Sequence, residues 1–181
     1  MKSLMLAFVL ILGKPSQSAL FDFGKAEIGK NWFIINDGVM GGLSQAEVIL
    51  TDTSLKFKGE ISLDNNGGFS SLRSPFKMMD LSSFKTLRIR YRSRMQNLDF
   101  VLENDRRFYK PNFKYNLPET NWEWNEIEFD LYESNAVIMG RSTDIKMSKT
   151  YLSELIRHGF ICANKESGPF EIEIDYLKYE K

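Results

Sequence analysis

Cysteine and histidine are almost absent from this sequence, with one residue of each among 181. A single cysteine excludes an internal disulfide and any zinc site built from several thiolates, and a single histidine excludes a histidine cluster. Cys162 lies in the apolar run from Phe160 to Ala163, which predicts a buried structural thiol. A nucleophilic triad would depend on His158, and no nucleophile-elbow motif accompanies it. The sequence therefore predicts no catalytic site of these kinds.

A net charge of either sign is also absent, because 24 basic residues balance 24 acidic ones. This balance gives no overall field that would attract nucleic acid, so we expect no nucleic-acid partner. Walker and Rossmann patterns are missing too, since neither Gly-Gly pair, at 41–42 or 67–68, stands between a strand and a long helix. With 43% apolar residues, the chain can still build the core of one globular domain.

The first residues have the pattern of a secretory signal peptide. A lysine precedes an unbroken apolar run at 4–12, and small residues suited to cleavage follow. The run is too short to span a bilayer. We predict a signal peptide at 1–18, cleavage after Ser18 or Ala19, and a single domain at 19–181. The protein is then exported to the periplasm or the exterior of a bacterium. The alternative is membrane association through an uncleaved N-terminal segment.

Apolar and polar residues alternate with a period of two along the rest of the chain, while helical periodicity is nearly absent. This pattern predicts an all-β fold, an antiparallel β-sandwich with one short helix at 149–157. The stretch at 135–150 is weakly patterned and is predicted to be a long surface loop. The predicted strands lie at 20–23, 32–35, 44–50, 55–59, 61–63, 69–73, 84–91, 98–102, 108–115, 124–131, 159–163 and 170–179.

Three of the predicted strands carry charges at alternate positions, one basic row and two acidic rows. On its own, the basic row suggests a phosphate-binding track. Opposite charges on neighbouring strands pair favourably, however, by about 0.2–1 kcal/mol per pair. We therefore predict that the three strands are neighbours in one sheet, with a self-neutralised outer face. The rows are Arg88, Arg90, Arg92 and Arg94; Glu126, Glu128 and Asp130; and Glu171, Glu173 and Asp175.

Two glycine-rich stretches, at 32–44 and 65–73, interrupt the strand pattern. The first reads Trp-Phe-Ile-Ile-Asn-Asp-Gly-Val-Met-Gly-Gly-Leu-Ser, and the second reads Asn-Asn-Gly-Gly-Phe-Ser-Ser-Leu-Arg. Glycines at this density suit loops that need positive φ or close backbone approach, and Asn36 and Asp37 can close turns ahead of them. Either stretch taken alone predicts an ordinary hairpin turn.

Together with Phe57-Lys58-Gly59 between them, the two stretches resemble the complex I intermediate-associated protein 30 family. Weaker similarity at 124–131 and 168–170 extends the resemblance to about residues 20–180. It implies a jelly-roll sandwich of the galactose-binding-domain-like type and a role in assembling a membrane complex, without catalytic residues or an obligatory cofactor. The implied partners are protein subunits of that complex, through which alone the protein would associate with a membrane. Which complex is involved stays open, because the family role belongs to organelles whereas this N-terminus indicates bacterial export.

We predict a binding site on the loop at 36–44, where Val39 and Met40 between glycines would present a small apolar tip. If 65–73 lies beside it, Asn66, Arg73 and Asp37 would form a polar patch around the tip. The alternative is that the two loops brace each other, with Asp37 accepting backbone N–H groups or pairing with Arg73. The candidate binding residues are Asn36, Asp37, Gly38, Val39, Met40, Gly41, Gly42, Ser44, Asn65, Asn66, Gly67, Gly68, Phe69, Arg73 and Trp122.

Carboxylates offer two further candidate sites. Glu103 and Asp105 are the pair to examine for glycosidase-like chemistry, with solvated turn residues as the simpler interpretation. Asp22, Asp37 and Asp64 could supply oxygen ligands for calcium. Their spacing does not resemble a calcium-binding loop, however, so we predict no metal and no cofactor.

Aromatic residues are concentrated between positions 108 and 124. If their rings are exposed on one face of the sandwich, they could stack on sugars or anchor a protein partner. Packing in the core and at sheet edges is the alternative for the group, and Trp122 is the member expected to be most exposed. The group consists of Phe108, Tyr109, Phe113, Tyr115, Trp122 and Trp124.

The first functional hypothesis is a non-catalytic protein-binding module, an assembly factor or chaperone-like protein for a membrane (respiratory) complex. The alternative is a carbohydrate-binding module of an exported protein, which would need two or more coplanar exposed aromatic rings on one face or rim. A glycan-degrading enzyme would need two carboxylates facing each other across a cleft and ranks last.

Overall fold

The computed structural model of the protein describes residues 18–25 and 27–181. The predicted signal peptide lies outside the described residues, apart from Ser18 at its end. The side chain of Val39 is likewise outside what is described.

Thirteen strands and one α-helix follow one another in the described part of the chain. The helix, α1 (Lys149–Ser153), has five residues, and within the described ranges no helix is long and apolar enough to cross a membrane. The strands are β1 (Ser18–Asp22), β2 (Phe33–Asn36), β3 (Gln45–Leu50), β4 (Leu55–Ile61), β5 (Ser70–Arg73), β6 (Thr86–Arg94), β7 (Leu98–Glu103), β8 (Asn112–Leu117), β9 (Asn125–Asp130), β10 (Asn135–Ile138), β11 (Arg141–Lys146), β12 (Arg157–Cys162) and β13 (Gly168–Glu180).

The strands form two antiparallel sheets. The six-stranded sheet is built around β13, which pairs on one side first with β4 and then with β1, and on the other side with β6. A bulge between Ile174 and Tyr176 shifts the register of β13 against β6, near the point where β4 gives way to β1. Strands β3 and β9 complete this sheet. The seven-stranded sheet has the order β11-β10-β8-β7-β12-β5-β2.

The core lies between the inner faces of the two sheets, where alternate residues of each strand are apolar. Phe57 and Phe170 of the six-stranded sheet meet with ring centroids 4.8 Å apart. Phe100 and Phe160 of the seven-stranded sheet meet at 5.3 Å. All four side chains are at most 1% exposed. Burying one such side chain contributes about 1.5–3 kcal/mol, so these apolar rows supply most of the stabilisation of the sandwich.

The predicted fold class, an antiparallel β-sandwich with one short helix, is confirmed. The predicted loop at 135–150 is wrong, because β10 and β11 form a hairpin there, with positive φ at Met139 and Gly140 in its turn. Strand β11 has no buried residue, so its sequence lacks the alternation that reveals a strand. The predicted helix is too long, since α1 ends at Ser153 and Leu155 already forms a β-bridge. Strand β8 begins at 112, so 108–111 belong to a loop.

The prediction that the three charged rows share one sheet is also confirmed. Strand β6 lies between β9 and β13, so the arginine row has an acidic row on each side. We call this outer surface of the six-stranded sheet the charged face. Its ion pairs join Arg88 to Glu126, Glu128 and Glu180, Arg90 to Asp175, Arg92 to Glu173, and Arg94 to Glu171.

The single cysteine and the single histidine of the chain both lie in the core. Cys162 is fully buried as predicted, and its thiol donates to Gln96 Oε1 at 3.2 Å. Burial raises the pKa of this thiol to about 12, which keeps it protonated and unreactive. His158 is 1% exposed, and its Nε2 lies 3.0 Å from the Tyr179 hydroxyl oxygen. Burial lowers the pKa of His158 to about 3, so the ring is neutral in the folded protein.

Candidate functional site

The two glycine-rich stretches come together at one end of the sandwich. Residues 37–40 form a short 3₁₀ turn that ends at Gly41, whose φ of +90° favours glycine. Residues 64–66 form a second 3₁₀ turn, in which Asn65 and Asn66 both have positive φ. The Asn65 side-chain amide donates to the Gly41 carbonyl at 3.1 Å, which joins one turn to the other. We call residues 36–44 together with 62–69 the loop platform.

Asp37 is the centre of the loop platform and is only 1% exposed. Its Oδ1 accepts from the Ser44 backbone N–H at 3.0 Å. Its Oδ2 accepts from the Ser44 hydroxyl at 2.5 Å, from the Gly68 N–H at 2.6 Å and from the Phe69 N–H at 3.2 Å. Burial acts to raise the pKa of the Asp37 carboxyl group, but these hydrogen bonds outweigh it, so the pKa lies below its usual value. The carboxylate is therefore a buried anion that ties both loops together.

The glycines beside Asp37 are required by close approach. A Cβ at Gly67 would lie 2.7 Å from Asp37 Oδ2 and 2.8 Å from the Ser62 carbonyl oxygen. A Cβ at Gly42 would collide with the Asp37 carboxylate itself. Gly68 has a φ of +126°, which places its N–H against the carboxylate in a conformation that L side chains rarely adopt. Gly42, Gly67 and Gly68 are thus explained by the enclosure of one aspartate, whereas a Cβ at Gly38 would meet nothing within 4 Å.

The loop platform also exposes apolar side chains to solvent. Met40 is 69% exposed, Leu43 is 56% exposed and Leu63 is 44% exposed. Leu43 precedes Ser44 and Leu63 follows Ser62, and these two serines are joined because the Ser62 N–H donates to the Ser44 hydroxyl oxygen at 3.0 Å. We call Met40, Leu43 and Leu63 the apolar tip. Leu63 was not among the predicted binding residues, because its alternating neighbours indicated a strand that in fact ends at Ile61.

The predicted binding residues fall into three places. Most lie in the loop platform, where Asn36 and Asp37 act as braces: Asn36 Oδ1 accepts from the Ser70 hydroxyl at 2.6 Å. Arg73 does not reach Asp37 and lies instead on the outer face of the seven-stranded sheet, 3.6 Å from Glu103. Trp122 lies on the charged face, with the Arg92 guanidinium carbon 4.5 Å from its ring centroid. The polar patch that was predicted to include Arg73 and Asp37 is therefore not formed.

The carboxylates considered for catalysis are held in ion pairs. Glu103 accepts from the Arg157 Nε at 2.9 Å, and Arg157 is only 4% exposed. Asp105 accepts from the Arg107 side chain at 2.8 Å. Both carboxylates therefore act as partners of arginine.

The aspartates considered for calcium are separated or engaged elsewhere. Asp22 accepts the Gly24 N–H at 3.0 Å, and Asp37 is enclosed as described above. Among the described residues, no group of three or more histidine, cysteine, aspartate or glutamate side chains could hold a metal ion.

The aromatic group predicted at 108–124 is divided between core and surface. Phe113 and Tyr115 are buried, whereas Phe108 is 77% exposed and Tyr109 is 48% exposed. The rings of Phe108 and Tyr109 are nearly perpendicular, at 83°.

On the charged face, guanidinium groups alternate with the two indole rings. Arg92 lies 4.5 Å from the Trp122 centroid and 4.9 Å from the Trp124 centroid. Arg94 also stacks on Trp122, and Arg90 on Trp124. Each indole ring therefore has two arginine partners, a role that the sequence pattern did not predict.

Comparison with known proteins identifies one family. The sequence model described as Complex I intermediate-associated protein 30 (CIA30) matches residues 21–174, which include the loop platform and most of both sheets. No curated protein sequence matches the chain significantly.

Several solved structures share the fold. The family 11 carbohydrate-binding module of a cellulosomal cellulase of Clostridium thermocellum has a TM-score of 0.66 at 15% identity, over 92% of this chain and 96% of that chain. The family 11 module from the same organism in complex with a β-1,3-1,4-mixed-linked tetrasaccharide has a TM-score of 0.58 at 17% identity, over 83% and 89%. An agarase has a TM-score of 0.57 at 13% identity, over 91% of this chain but 24% of its own. At these identities the likeness establishes the sandwich fold alone.

Proposed function

The chain belongs to the complex I intermediate-associated protein 30 family, and on that basis we propose that it is a non-catalytic protein-binding module that helps to assemble a membrane-bound respiratory complex. The partner is a protein subunit of that complex, and the module meets the membrane only through this partner. No cofactor takes part.

The observation that carries the proposal is the inverted polarity of the loop platform. In most of the molecule apolar residues are inside and charges outside, but here the carboxylate of Asp37 is 1% exposed while Met40, three positions along the same loop, is 69% exposed. Methionine is enriched at protein interfaces and adapts its shape to a partner. The residues beside the tip at 64–66 are exposed and polar. An apolar centre with a polar rim on a rigid base is the usual anatomy of a protein-binding surface.

We also propose that the protein works outside the cytoplasm of a bacterial cell. This part of the proposal depends on the apolar run at 4–12 and on the small residues that follow it. The partner would then be reached from the outer side of the membrane.

An affinity purification from gently solubilised membranes of the source organism tests the proposal. The full-length protein carries a C-terminal tag, and captured proteins are identified by mass spectrometry. We expect subunits of NADH:ubiquinone oxidoreductase or another respiratory complex with the native protein, and at least a tenfold loss with the Met40→Ser/Leu43→Ser variant, because about 2–3 kcal/mol of apolar contact is removed.

A matched control separates the tip from exposed apolar residues in general. Met78 and Met139 are 68% and 66% exposed, close to the 69% of Met40, and both lie outside the loop platform. The Met78→Ser/Met139→Ser variant should capture the same subunits as the native protein. Equal capture by both double variants would contradict a role for the apolar tip, and capture of no respiratory subunit would contradict the assembly function.

Carbohydrate binding is the second candidate. Arginines stack on Trp122 and Trp124, and the rings of Phe108 and Tyr109 are nearly perpendicular, so the latter pair offers no flat platform to a sugar. Retention on immobilised mixed-linked β-glucan, the type of sugar named for a neighbour of similar fold, is the direct assay.

A further inference from the structure

The outer face of the seven-stranded sheet contains a small polar cavity that the loop platform does not involve. One row of residues across this face runs Phe33, Arg73, Gly159, Val101 and Lys114, as the strand register requires. The next row contains Arg157, Glu103 and Asn112. A cavity of about 50 Å³ opens between these rows, and we call it the polar notch. Its lining includes Arg73, Val101, Glu103, Asn112, Lys114 and Gly159.

Gly159 creates the space for the polar notch. It occupies an outward position in the middle of β12, opposite Arg73 on one side and Val101 on the other. A side chain at this position would project over the floor of the notch, and its Cβ would also lie 3.1 Å from the Leu72 carbonyl oxygen. A glycine inside a strand often marks a place where another group approaches the backbone closely.

The charged groups around the polar notch are already paired with one another. Glu103 accepts from Arg157 and lies 3.6 Å from Arg73. Lys114 lies 3.1 Å from Asp99, on the adjacent strand. Three cations and two carboxylates thus surround the notch. The side chains of Arg73 and Lys114 are 26% and 24% exposed, so the notch opens to solvent between them.

One polar atom at the notch is not paired. The Oδ1 of Asn112 is buried and has no hydrogen-bond partner among the described residues. A buried acceptor without a donor is unfavourable and calls for a group that supplies one. Among the described residues, two other buried side-chain atoms form no hydrogen bond, on Arg88 and Asn104; neither lines this cavity, and the Arg88 Nε lies 2.7 Å from Glu180 Oε2.

We propose that the polar notch is a binding site for a neutral saccharide, with one of its hydroxyl groups in the notch. A hydroxyl can donate to Asn112 Oδ1 and accept from Arg73 or Lys114 at the same time. An ionised carboxylate cannot donate to Oδ1, and an ammonium group would meet a surplus of positive charge. A cavity of about 50 Å³ has room for a hydroxyl or hydroxymethyl group but not for a whole sugar ring.

The surroundings of the notch favour a saccharide over a simple alcohol. Asn112, Lys114 and Asn116 follow one another at outward positions of β8, about 7 Å apart. They offer polar partners to successive hydroxyl groups along the strand. Val101, only 6% exposed, and the partly exposed Ile161 supply the apolar part of the notch lining. The proposal concerns a different face from the apolar tip and does not depend on the assembly function.

Two-dimensional ¹H–¹⁵N NMR of the labelled domain tests this proposal. The probes are cellotetraose, xylotetraose, mannotetraose and agarotetraose at millimolar concentration, with trigalacturonate as an anionic comparison. We expect at least one neutral probe to shift the Asn112 side-chain amide and the Gly159 backbone amide. The Asn112→Leu variant should lose this binding at least fivefold, while Asn112→Asp, which keeps an acceptor, should retain it.

The melting temperatures of the variants are measured as well, so that a loss of binding is not confused with a loss of the fold. Asn112→Leu removes an unpaired buried acceptor, so the variant should melt at or above the temperature of the native protein. Asn164→Ala, in the exposed turn between β12 and β13, is the control and should leave binding unchanged. No response from any neutral probe, or an equal response from Asn112→Leu, would overturn the proposal. A lower melting temperature for Asn112→Leu without any response would assign the notch to a structural water.

Discussion

Asp37 in the loop platform and Glu173 on the charged face are two buried carboxylates with different partners. Asp37 is 1% exposed and accepts from backbone N–H groups and a serine hydroxyl. Glu173 is 5% exposed and accepts from Arg92 at 2.8 Å and from the Ser54 hydroxyl at 2.6 Å, with Lys56 at 3.6 Å. The first carboxylate is stabilised by donors that belong to loops, and the second mainly by charged side chains on strands, with Ser54 in the loop before β4 as a further donor.

The two carboxylates therefore contribute differently to the backbone conformation around them. The strands around Glu173 are already aligned by ladder hydrogen bonds, so its ion pairs add charge complementarity to an existing surface. The loops around Asp37 have no such ladder, and the carboxylate itself fixes their conformation. The loop platform should therefore depend on one residue, whereas the charged face should tolerate single losses.

Asp37→Ala should have the largest effect. It removes the partner of three backbone N–H groups and one hydroxyl, and a hydrogen bond to a charged group makes a net contribution of about 1.5–3 kcal/mol. We expect the free energy of unfolding to fall by about 3 kcal/mol or more. Chemical denaturation measures this change. Asp64→Ala, at an exposed position of the same platform, is the control and should change it by less than about 0.5 kcal/mol. An unchanged Asp37→Ala protein would refute the bracing role.

Acid should destabilise the protein through His158 before it affects Asp37. The pKa of His158 is about 3 in the folded protein, below its ordinary value of 6.5. The contribution of the neutral ring to the free energy of unfolding is therefore fully present above pH 6.5 and is lost as the pH falls below 6.5. Between pH 7 and pH 5 the loss should be about 2 kcal/mol, at 1.36 kcal/mol per unit. Because the chain has one histidine, His158→Gln should flatten this part of the profile. Denaturation at successive pH values compares the two slopes, and equal slopes would contradict the assignment.

Arg92→Ala should cost less than Asp37→Ala but more than Arg88→Ala. Arg92 pairs with a buried carboxylate and stacks between two indole rings, so its loss should cost about 1–2 kcal/mol. Arg88 pairs with three carboxylates at a more exposed position, where ion pairs contribute little. Melting temperatures in low and high salt compare the variants. An Arg92→Ala effect as large as that of Asp37→Ala would remove the distinction between the two regions.

Changes at the apolar tip should have the smallest effect on stability. Met40 and Leu43 are mostly exposed, so Met40→Ser/Leu43→Ser should change the free energy of unfolding by less than about 0.5 kcal/mol. Thermal melting checks this expectation. A loss above about 1 kcal/mol would mean that these side chains pack within the molecule and are not a free surface.

The sheets were more predictable from sequence than the site. Strand β6 alternates strictly, and β13 alternates on each side of its bulge, because one face of the sheet is buried and the other is exposed to water. This alternation also indicated that the charged rows are neighbours. Strand β11 was not predicted because it is exposed on both faces. The bracing role of Asp37 was foreseen as one of two alternatives, since aspartate before glycine suits a turn.

The remaining features of the candidate site depend on contacts that sequence spacing does not encode. The apolar tip includes Leu63, which joins Leu43 only because β4 ends early and the two serines beside them are hydrogen-bonded. Trp122 was expected to be exposed for binding, but arginines from β6 stack on its ring. Arg73 lies outside the predicted patch because outward residues of β5 face a different surface from Asp37. These relations are set by the long-range pairing of strands.

Site-specific photo-crosslinking in cells can show whether the apolar tip binds a membrane-complex subunit. Benzoylphenylalanine replaces Met40 in one variant and Met78, which is almost equally exposed, in another. Both proteins are expressed in the source organism, irradiated in intact cells and purified under denaturing conditions. We expect a crosslink to a respiratory-complex subunit from position 40 and none from position 78. Crosslinks from both positions to the same proteins, or from position 40 to no membrane-complex subunit, would contradict it.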